Sequence, residues 1–303
     1  MKNWIYLLLV SFVLLFGCKF FKNAEKSYEE GKIFFEKKEY QSALTHFKTA
    51  LEINPKEEKY LKVLYDVYNK MYFHDLGEEE VKYYIGVLTQ LIEINPDKLE
   101  YRSKRGSMYC NYKIKDYEKG IEDFTFIISK SETYILALIN RSSCYSGLNK
   151  FEEALKDLNY NLKITPENTY ALSARASFYK SRNQYDNAIE DYHKLIDLEY
   201  SHSLLNEIGT LYLLKKDYAK AEEYFQKYLT IYDRADEELK SSFDNSTLST
   251  CYVDLAKSVK EQGIPTDEYC SLYSKGKKFH ETNISDYSSE LEEACKAYLE
   301  SNP

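Results

Sequence analysis

The chain has 303 residues, of which 30% are charged, with a formal net charge of −8 and a mean hydropathy of −0.57. Phosphate binding needs a clustered basic surface; here no Lys/Arg run exceeds two residues, which argues against nucleic acid as the main partner. Ten glycines and five prolines suit a helical chain with short turns, and 31 tyrosines call for a recurrent packing use.

The first eighteen residues read as an address rather than a fold. Lys2 precedes an apolar run from Trp4 to Phe16, broken only by Ser11. Spanning a bilayer takes about 20 apolar residues, so this shorter run predicts an export leader over 1–17. It ends Leu15-Phe16-Gly17-Cys18, without an obvious small-x-small cleavage site. That ending resembles the lipobox of bacterial lipoproteins, although Phe16 is larger than the usual Ala or Ser. The resemblance implies cleavage before Cys18, acylation of its thiol and new amino group with fatty acids such as palmitate, and a lipid anchor in the bacterial cell envelope. It favours the outer membrane over the inner, and leaves open whether the protein faces periplasm or cell surface. An uncleaved signal anchor or a simple secretion signal is the alternative.

Residues 18–23 form a short tether, and from Ala24 the chain becomes periodic. The first block, 24–57, places Gly31, Phe34, Ala43, Phe47, Ala50 and Pro55 at positions that return later. Small residues at 31 and 43 permit close helix approach, Phe34 and Phe47 fill the seam, and Pro55 follows a helix end. The second block, 58–98, is stretched by about seven residues near Lys70 to Gly77, predicting a longer first helix or turn. The third, 99–134, carries Gly106, Tyr109, Gly120, Phe124 and Ile127, with about two extra residues around Lys113. The fourth and fifth, 135–168 and 169–201, align directly: Arg141 over Arg175, Tyr145 over Tyr179, Ala154 over Ala188, Asp157 over Asp191. The sixth, 202–235, repeats the pattern with Gly209, Tyr212, Ala221, Phe225 and Tyr228. An aromatic also recurs just before the second helix in five repeats (Tyr40, Tyr117, Phe151, Tyr185, Tyr218), and the recurrent tyrosines read as seam filling. Beyond Asp233 the pattern dissolves, and 236–303 reads as a divergent helical repeat with capping helices.

A period of about 34 residues with fixed small and aromatic positions marks a helix–turn–helix array. The pattern resembles the tetratricopeptide repeat (TPR) family. It implies an all-α fold, a right-handed α-solenoid of about six repeats with a C-terminal helical cap, whose first helices line a concave groove for partner segments. Carried onto this sequence, that groove holds Ser103, Ser107, Ile139, Ser143, Ser173, Ser177, Asn206 and Thr210. In the first two repeats the same positions are Tyr28, Lys32, Lys62 and Asp66. The Lys/Asn/Arg clamp of chaperone-tail binders is missing, so a small neutral floor points to an extended segment or helix rather than a charged tail. The same small residues equally suit tight curvature alone.

Arg105, Arg141 and Arg175 occupy a first-helix position where the family is apolar, and Asp123, Asp157 and Asp191 accompany them on the second helix. The remaining repeats carry neither, having Glu30 with His46, Leu64 with Val87 and Ile208 with Tyr224. Because the two come and go together, each Arg is expected to bridge to its own Asp, a geometry that suits the planar guanidinium fork. A three-Arg row gripping an acidic ligand is the alternative.

Export permits disulfides, yet five cysteines besides Cys18 is an odd number. Cys110 and Cys144 read as small apolar residues of first-helix interiors, while Cys251, Cys270 and Cys295 leave room for one bridge. No Cys or His spacing suits a metal, and there is no nucleophile elbow or phosphate-binding loop. Neither a cofactor nor catalysis is expected. The function that follows is a non-catalytic, membrane-anchored protein-protein interaction scaffold that binds a partner segment in the concave groove, in envelope assembly. A surface-displayed lipoprotein that binds a host or environmental macromolecule is the alternative.

Overall fold

The computed structural model describes residues 24–71, 76–130, 134–199, 201–279 and 288–301. The leader, Cys18 and the tether lie outside these residues. The chain divides into two compact units, Met1–Asp157 and Leu158–Pro303. Unit 1 begins with α1 (24–36), followed by α2 (Tyr40–Ile53), α3 (Glu58–Lys70) and α4 (Glu78–Ile94). It continues with α5 (Leu99–Tyr109), α6 (Tyr117–Lys130) and α7 (Ile135–Gly147), and the division falls inside α8 (Phe151–Ile164). Unit 2 holds α9 (Thr169–Ser181), α10 (Tyr185–Leu198), α11 (His202–Leu214) and α12 (Tyr218–Arg234). A single turn, α13 (Glu237–Lys240), leads to α14 (Asn245–Glu261) and α15 (Thr266–Phe279), then to α16 (Ser288–Ala294) and α17 (Lys296–Ser301). The fold is all-α: among the described residues there is no strand, and helices follow one another in helix–turn–helix pairs.

The turns inside the pairs share one construction. Lys38, Lys115, Asn149, Asn183 and Lys216 take left-handed φ values between 56° and 62°. Each stands two residues before the aromatic that opens the next helix, from Tyr40 to Tyr218. The following N–H then reaches back to the fifth preceding carbonyl, Glu39 to Phe34, Lys150 to Tyr145, Gln184 to Tyr179 and Asp217 to Tyr212, each at 2.9 Å. That is a Schellman closure, which satisfies an orphan carbonyl at the helix end. A lysine costs on the order of 1 kcal/mol in this conformation, offset by the closing bond and by a cation beside the helix C-terminus. In the third repeat the two extra residues widen the loop, and Asp116 N–H bonds Tyr109 O instead, at 2.9 Å.

Close approach of paired helices comes from the glycine–phenylalanine pairs. A Cβ on Gly31 would lie 2.6 Å from the Phe47 ring, and one on Gly209 2.7 Å from Phe225. Both rings are fully buried, each contributing about 2 kcal/mol through the apolar area removed from water. In unit 1 they belong to a core with Leu61, Leu64, Tyr84 and Leu88; in unit 2, to one with Tyr228, Leu248, Leu255 and Tyr273.

The stretched second repeat ends its first helix at Lys70 and starts the next at Glu78, so the extra residues fall in the connection. Residues 72–75 of it lie outside the described set. Leu76 is buried, and Lys113, in the extension of the third repeat, donates its Nζ to the Leu76 carbonyl. The two insertions therefore support one another. Nearby, Tyr68 stacks on Tyr84 at 4.3 Å and donates to Glu80, whose carboxylate also takes Lys48 Nζ at 2.6 Å. Burial first, then the bond to Glu80, holds the Tyr68 hydroxyl far above the ordinary phenol range.

After α12 the chain keeps pairing helices. Gly276 of α15 lies against α14, where a Cβ would meet Ser249 O at 3.1 Å. Gly263, with φ of +76°, closes the turn between them ahead of Pro265. A disulfide from Cys270 to Cys295 ties α15 to the short terminal helices.

Candidate partner-binding site

The small first-helix residues are accessible, but three of their six hydroxyls are spent on their own helix. In unit 1, Ser103, Ser107 and Ile139 are half-buried and Ser143 is exposed. Ser107 Oγ donates to Ser103 O at 3.0 Å, and Ser143 Oγ to Ile139 O at 3.3 Å. In unit 2, Ser173 and Ser177 are exposed, while Asn206 and Thr210 are half-buried. Thr210 Oγ1 donates to Asn206 O at 3.0 Å. The Ser177 hydroxyl faces the buried Tyr192 of α10, easing a phenol that burial first, then Glu207, holds above its usual range. Bonding of Ser and Thr to the carbonyl one turn back removes their donors from any partner. Asn206 is different: its Oδ1 is buried without a hydrogen-bond partner. The positions thus supply shape more than polar recognition.

Charges beside them are compensated. Lys180 of α9 reaches Glu207 of α11 at 2.9 Å, and Tyr170, one turn before Ser173, is 72% exposed. In the first two repeats Lys32 pairs with Glu29 at 3.0 Å, Lys59 with Glu25 at 2.6 Å and Lys62 with Glu58 at 2.8 Å. Lys104, next to Ser103, is held below the usual lysine range by burial, partly relieved by Glu100.

The structure places each of the three arginines beside the aspartate of its own repeat. Arg105 Nε lies 2.8 Å from Asp123 Oδ2 and its NH2 2.7 Å from Oδ1. Arg141 meets Asp157 at 2.8 Å through both contacts, and Arg175 meets Asp191 at 2.8 and 2.7 Å. The aspartate side chains are at most 7% exposed and the arginine side chains 16–17%. These are bidentate forks in a water-poor slot, the geometry in which a charge-assisted bond is strongest. Each guanidinium also lies about 6 Å over the tyrosine one turn later, Tyr109, Tyr145 or Tyr179.

Each arginine has a second arm that sequence reasoning missed. Arg105 NH1 donates to Thr89 at 3.1 Å, Arg141 NH1 to Thr125 at 2.9 Å and Arg175 NH1 to Asn159 at 2.7 Å. All three acceptors stand sixteen residues earlier, on the second helix of the preceding repeat. The signal was available: the residue two after Asp123 is Thr125, and two after Asp157 is Asn159. In the first repeat the equivalent positions hold His46 Nδ1 3.3 Å from Glu30, and in the sixth Tyr224 OH lies 3.4 Å from His193.

The cysteines correct the expectation for Cys110 and Cys144. They are not small fillers but a disulfide, joining residues 34 apart with Cα atoms 5.4 Å from one another. Cys110 caps α5 rather than lying inside it, so its side chain can swing toward α7. Gly120 makes the room: a Cβ there would fall 2.1 Å from Cys110 Sγ and 3.3 Å from Cys144 Sγ. Four other repeats have alanine at this position (Ala43, Ala154, Ala188, Ala221), all fully buried. Of the C-terminal three, Cys270 and Cys295 are bonded and Cys251 is a buried free thiol. Among the described residues no three His, Cys, Asp or Glu side chains gather as a metal site would require.

The chain carries tetratricopeptide repeats: models of that repeat match residues 27–57 and 173–236. It is similar in fold to a tetratricopeptide repeat protein from Parabacteroides merdae ATCC 43184, at 17% identity and a TM-score of 0.57, over 92% of this chain and 99% of that one. PilW, a widely conserved type IV pilus biogenesis factor, aligns at 18% identity and a TM-score of 0.52, over 72% of this chain and 97% of its own. Yeast Tom70 aligns at 17% identity and a TM-score of 0.53, over 92% of this chain and 54% of its own length. Among curated proteins no sequence matches. At such identities the likeness concerns the fold.

Proposed function

We propose that this protein is a protein-protein interaction scaffold, anchored to a bacterial envelope membrane through Cys18, that holds a partner segment against the first-helix faces of its repeats in envelope assembly. The observation that carries the reading is the small, accessible residues on α5 and α7 of unit 1 and, separately, on α9 of unit 2, within consecutive helix pairs. Such a surface selects by shape, as helix and extended-segment recognition does. Two disulfides support export, because they persist in oxidising compartments. The anchor is assigned to lipid on Cys18 from the lipobox-like ending Leu15-Phe16-Gly17-Cys18. Two acyl chains suffice for stable attachment.

Ser173→Trp tests the binding surface. Ser173 is exposed, whereas Ser177 lies beside the buried Tyr192, so a large ring at 173 leaves the helix seam intact. The variant should keep its helical circular dichroism and lose partners that crosslink to wild type in cells. Retention of the same crosslinked partners would place binding elsewhere. Cys18→Ser should abolish incorporation of labelled palmitate; undiminished labelling would overturn the anchor. Protease access on intact cells separates an envelope-internal scaffold from a surface-displayed binder.

A further inference from the structure

Unit 2 carries a second concavity that the inner-face reading does not use. A cleft of about 460 Å³ opens between α8, α9 and α10. Its apolar lining is Leu162, Leu172 and Pro166, and its polar lining is Lys163, Lys194, Arg175 and Asn159, with no carboxylate among them. Arg175 lies two residues from both Ser173 and Ser177, which at 3.6 residues per turn puts it on the far side of α9 from them.

The charges around the cleft leave a surplus. Arg175 is matched by Asp191, and Lys194 by Glu190 at 2.6 Å on the exposed helix surface. Lys163 has no acidic partner among the described residues. A solvent-exposed pair such as Lys194–Glu190 is worth only about 0–1 kcal/mol, so Lys194 can turn to an incoming anion at little cost. Arg175 also spends only three of its five N–H groups, two on Asp191 and one on Asn159. The remaining two have no acceptor among the described residues.

The pattern is local to this repeat junction. One period earlier the places of Lys163 and Lys194 are taken by Ser129 and Tyr160, and one repeat later by Asp197 and Lys227. On a chain of net charge −8, two lysines flank an arginine over an aliphatic floor here and at neither adjacent junction.

We propose that this cleft binds an acidic segment of a partner protein, seating a carboxylate between Lys163, Lys194 and the two unspent N–H groups of Arg175. A neighbouring leucine-like side chain covers Leu162, Leu172 and Pro166. The volume lies within the range of pockets that take a few side chains. Charge complementarity names the occupant, and the apolar floor separates it from a bare anion. This inference does not rest on the inner-face reading.

The test is fluorescence anisotropy with the full chain and a labelled, end-capped peptide alternating leucine and glutamate. Lys163→Glu with Lys194→Glu should weaken binding about tenfold or more, since each tenfold is 1.4 kcal/mol. Both lysines are exposed, so circular dichroism should be unchanged. Ser173→Trp should leave the affinity as it is, which distinguishes this cleft from the inner face. Raising salt from low to high should weaken binding, because exposed charges are screened. The proposal is overturned by equal binding of the doubly reversed variant, by equal binding of a glutamine-for-glutamate peptide, or by no binding to wild type at millimolar peptide. It is also overturned if single-stranded oligonucleotide binds more tightly with the same lysine dependence, which would make the cleft a phosphate site.

Discussion

Repeats three to five join their two helices through an arginine and an aspartate, where repeats two and six use Leu64 with Val87 and Ile208 with Tyr224. Leu64 and Ile208 are completely buried. Their partners in the middle repeats are a planar cation and a carboxylate almost as well enclosed. One slot therefore accepts two opposite chemistries. The apolar version is non-directional, since burial rewards area and not orientation. The ionic version is directional: the fork fixes Arg141 on Asp157, and its third donor fixes Thr125 of the repeat before. A buried pair gains little net stability over an apolar one, because both ions lose their water. The middle repeats exchange indifferent packing for a defined register between neighbouring hairpins. The first repeat is intermediate, with Glu30 and His46 only partly enclosed and Phe34 stacked on the imidazole at 5.1 Å.

Removing one ion of a pair has the largest expected effect. Arg141→Leu strands Asp157 in a slot where its side chain is 7% exposed, and should cost about 3–5 kcal/mol in urea unfolding. Adding Asp157→Leu converts the slot to the chemistry of Leu64 and Val87, and most of the loss should return. Additive losses in that double-mutant cycle would show that the two side chains are not coupled.

Next in size is the disulfide that only the middle repeats possess. Cys110→Ala with Cys144→Ala should lower stability by about 2–4 kcal/mol. Gly120 then provides the sharper measurement. With the bridge present, Gly120→Ala drives a methyl group into Cys110 Sγ and should destabilise or prevent oxidation. Without the bridge the same substitution restores the alanine of the other repeats and should be neutral or stabilising, by up to about 1 kcal/mol from helix propensity. Equal effects in the two backgrounds would sever glycine from bridge.

The smallest expected effect contrasts the paired aspartates with an unpaired one in unit 2. Asp254 on α14 is mostly enclosed, and desolvation pushes its carboxyl up to about 6, against weaker pulls from Lys257 and Lys180. A folded-state value raised above the unfolded one means that the native state binds the proton more tightly. Asp254 therefore contributes stability below its unfolded value near 4 that is lost as pH rises through about 6. Asp254→Asn should raise the unfolding free energy at pH 7.5 by on the order of 1–2 kcal/mol, with the gain vanishing toward pH 4. A gain independent of pH would assign it to packing instead.

Helix pairing was legible in the sequence because it is local. Gly31 before Phe47 and Gly209 before Phe225 recur at one spacing, and a recurrent small–large pair at that spacing can be satisfied only by two helices packed against each other. The co-occurrence of arginine and aspartate likewise pointed to partnership, since a buried charge without a counter-ion would be costly wherever the helices lay. The left-handed turn lysines were not legible, because lysine has no preference for that conformation. Their φ follows from the closing bonds to Phe34 and Tyr212.

Of the candidate binding residues, the sequence by itself determined that they are small and uncharged. Only the tertiary structure decided what remains available on them. It turned Ser107, Ser143 and Thr210 back onto their own helices, set Ser177 beside the buried Tyr192, and left the Asn206 side-chain carbonyl without a partner. It also chose the cysteine partners. Whether Cys110 meets Cys144 depends on Cβ atoms of two helix ends coming within about 4 Å, and a sequence period places those residues in neighbouring repeats without fixing that distance. Composition and spacing determine which faces of a helix must be covered. Which atoms then touch across the seam is decided by the angle and depth at which the helices meet, and those are set by the whole packed neighbourhood at once.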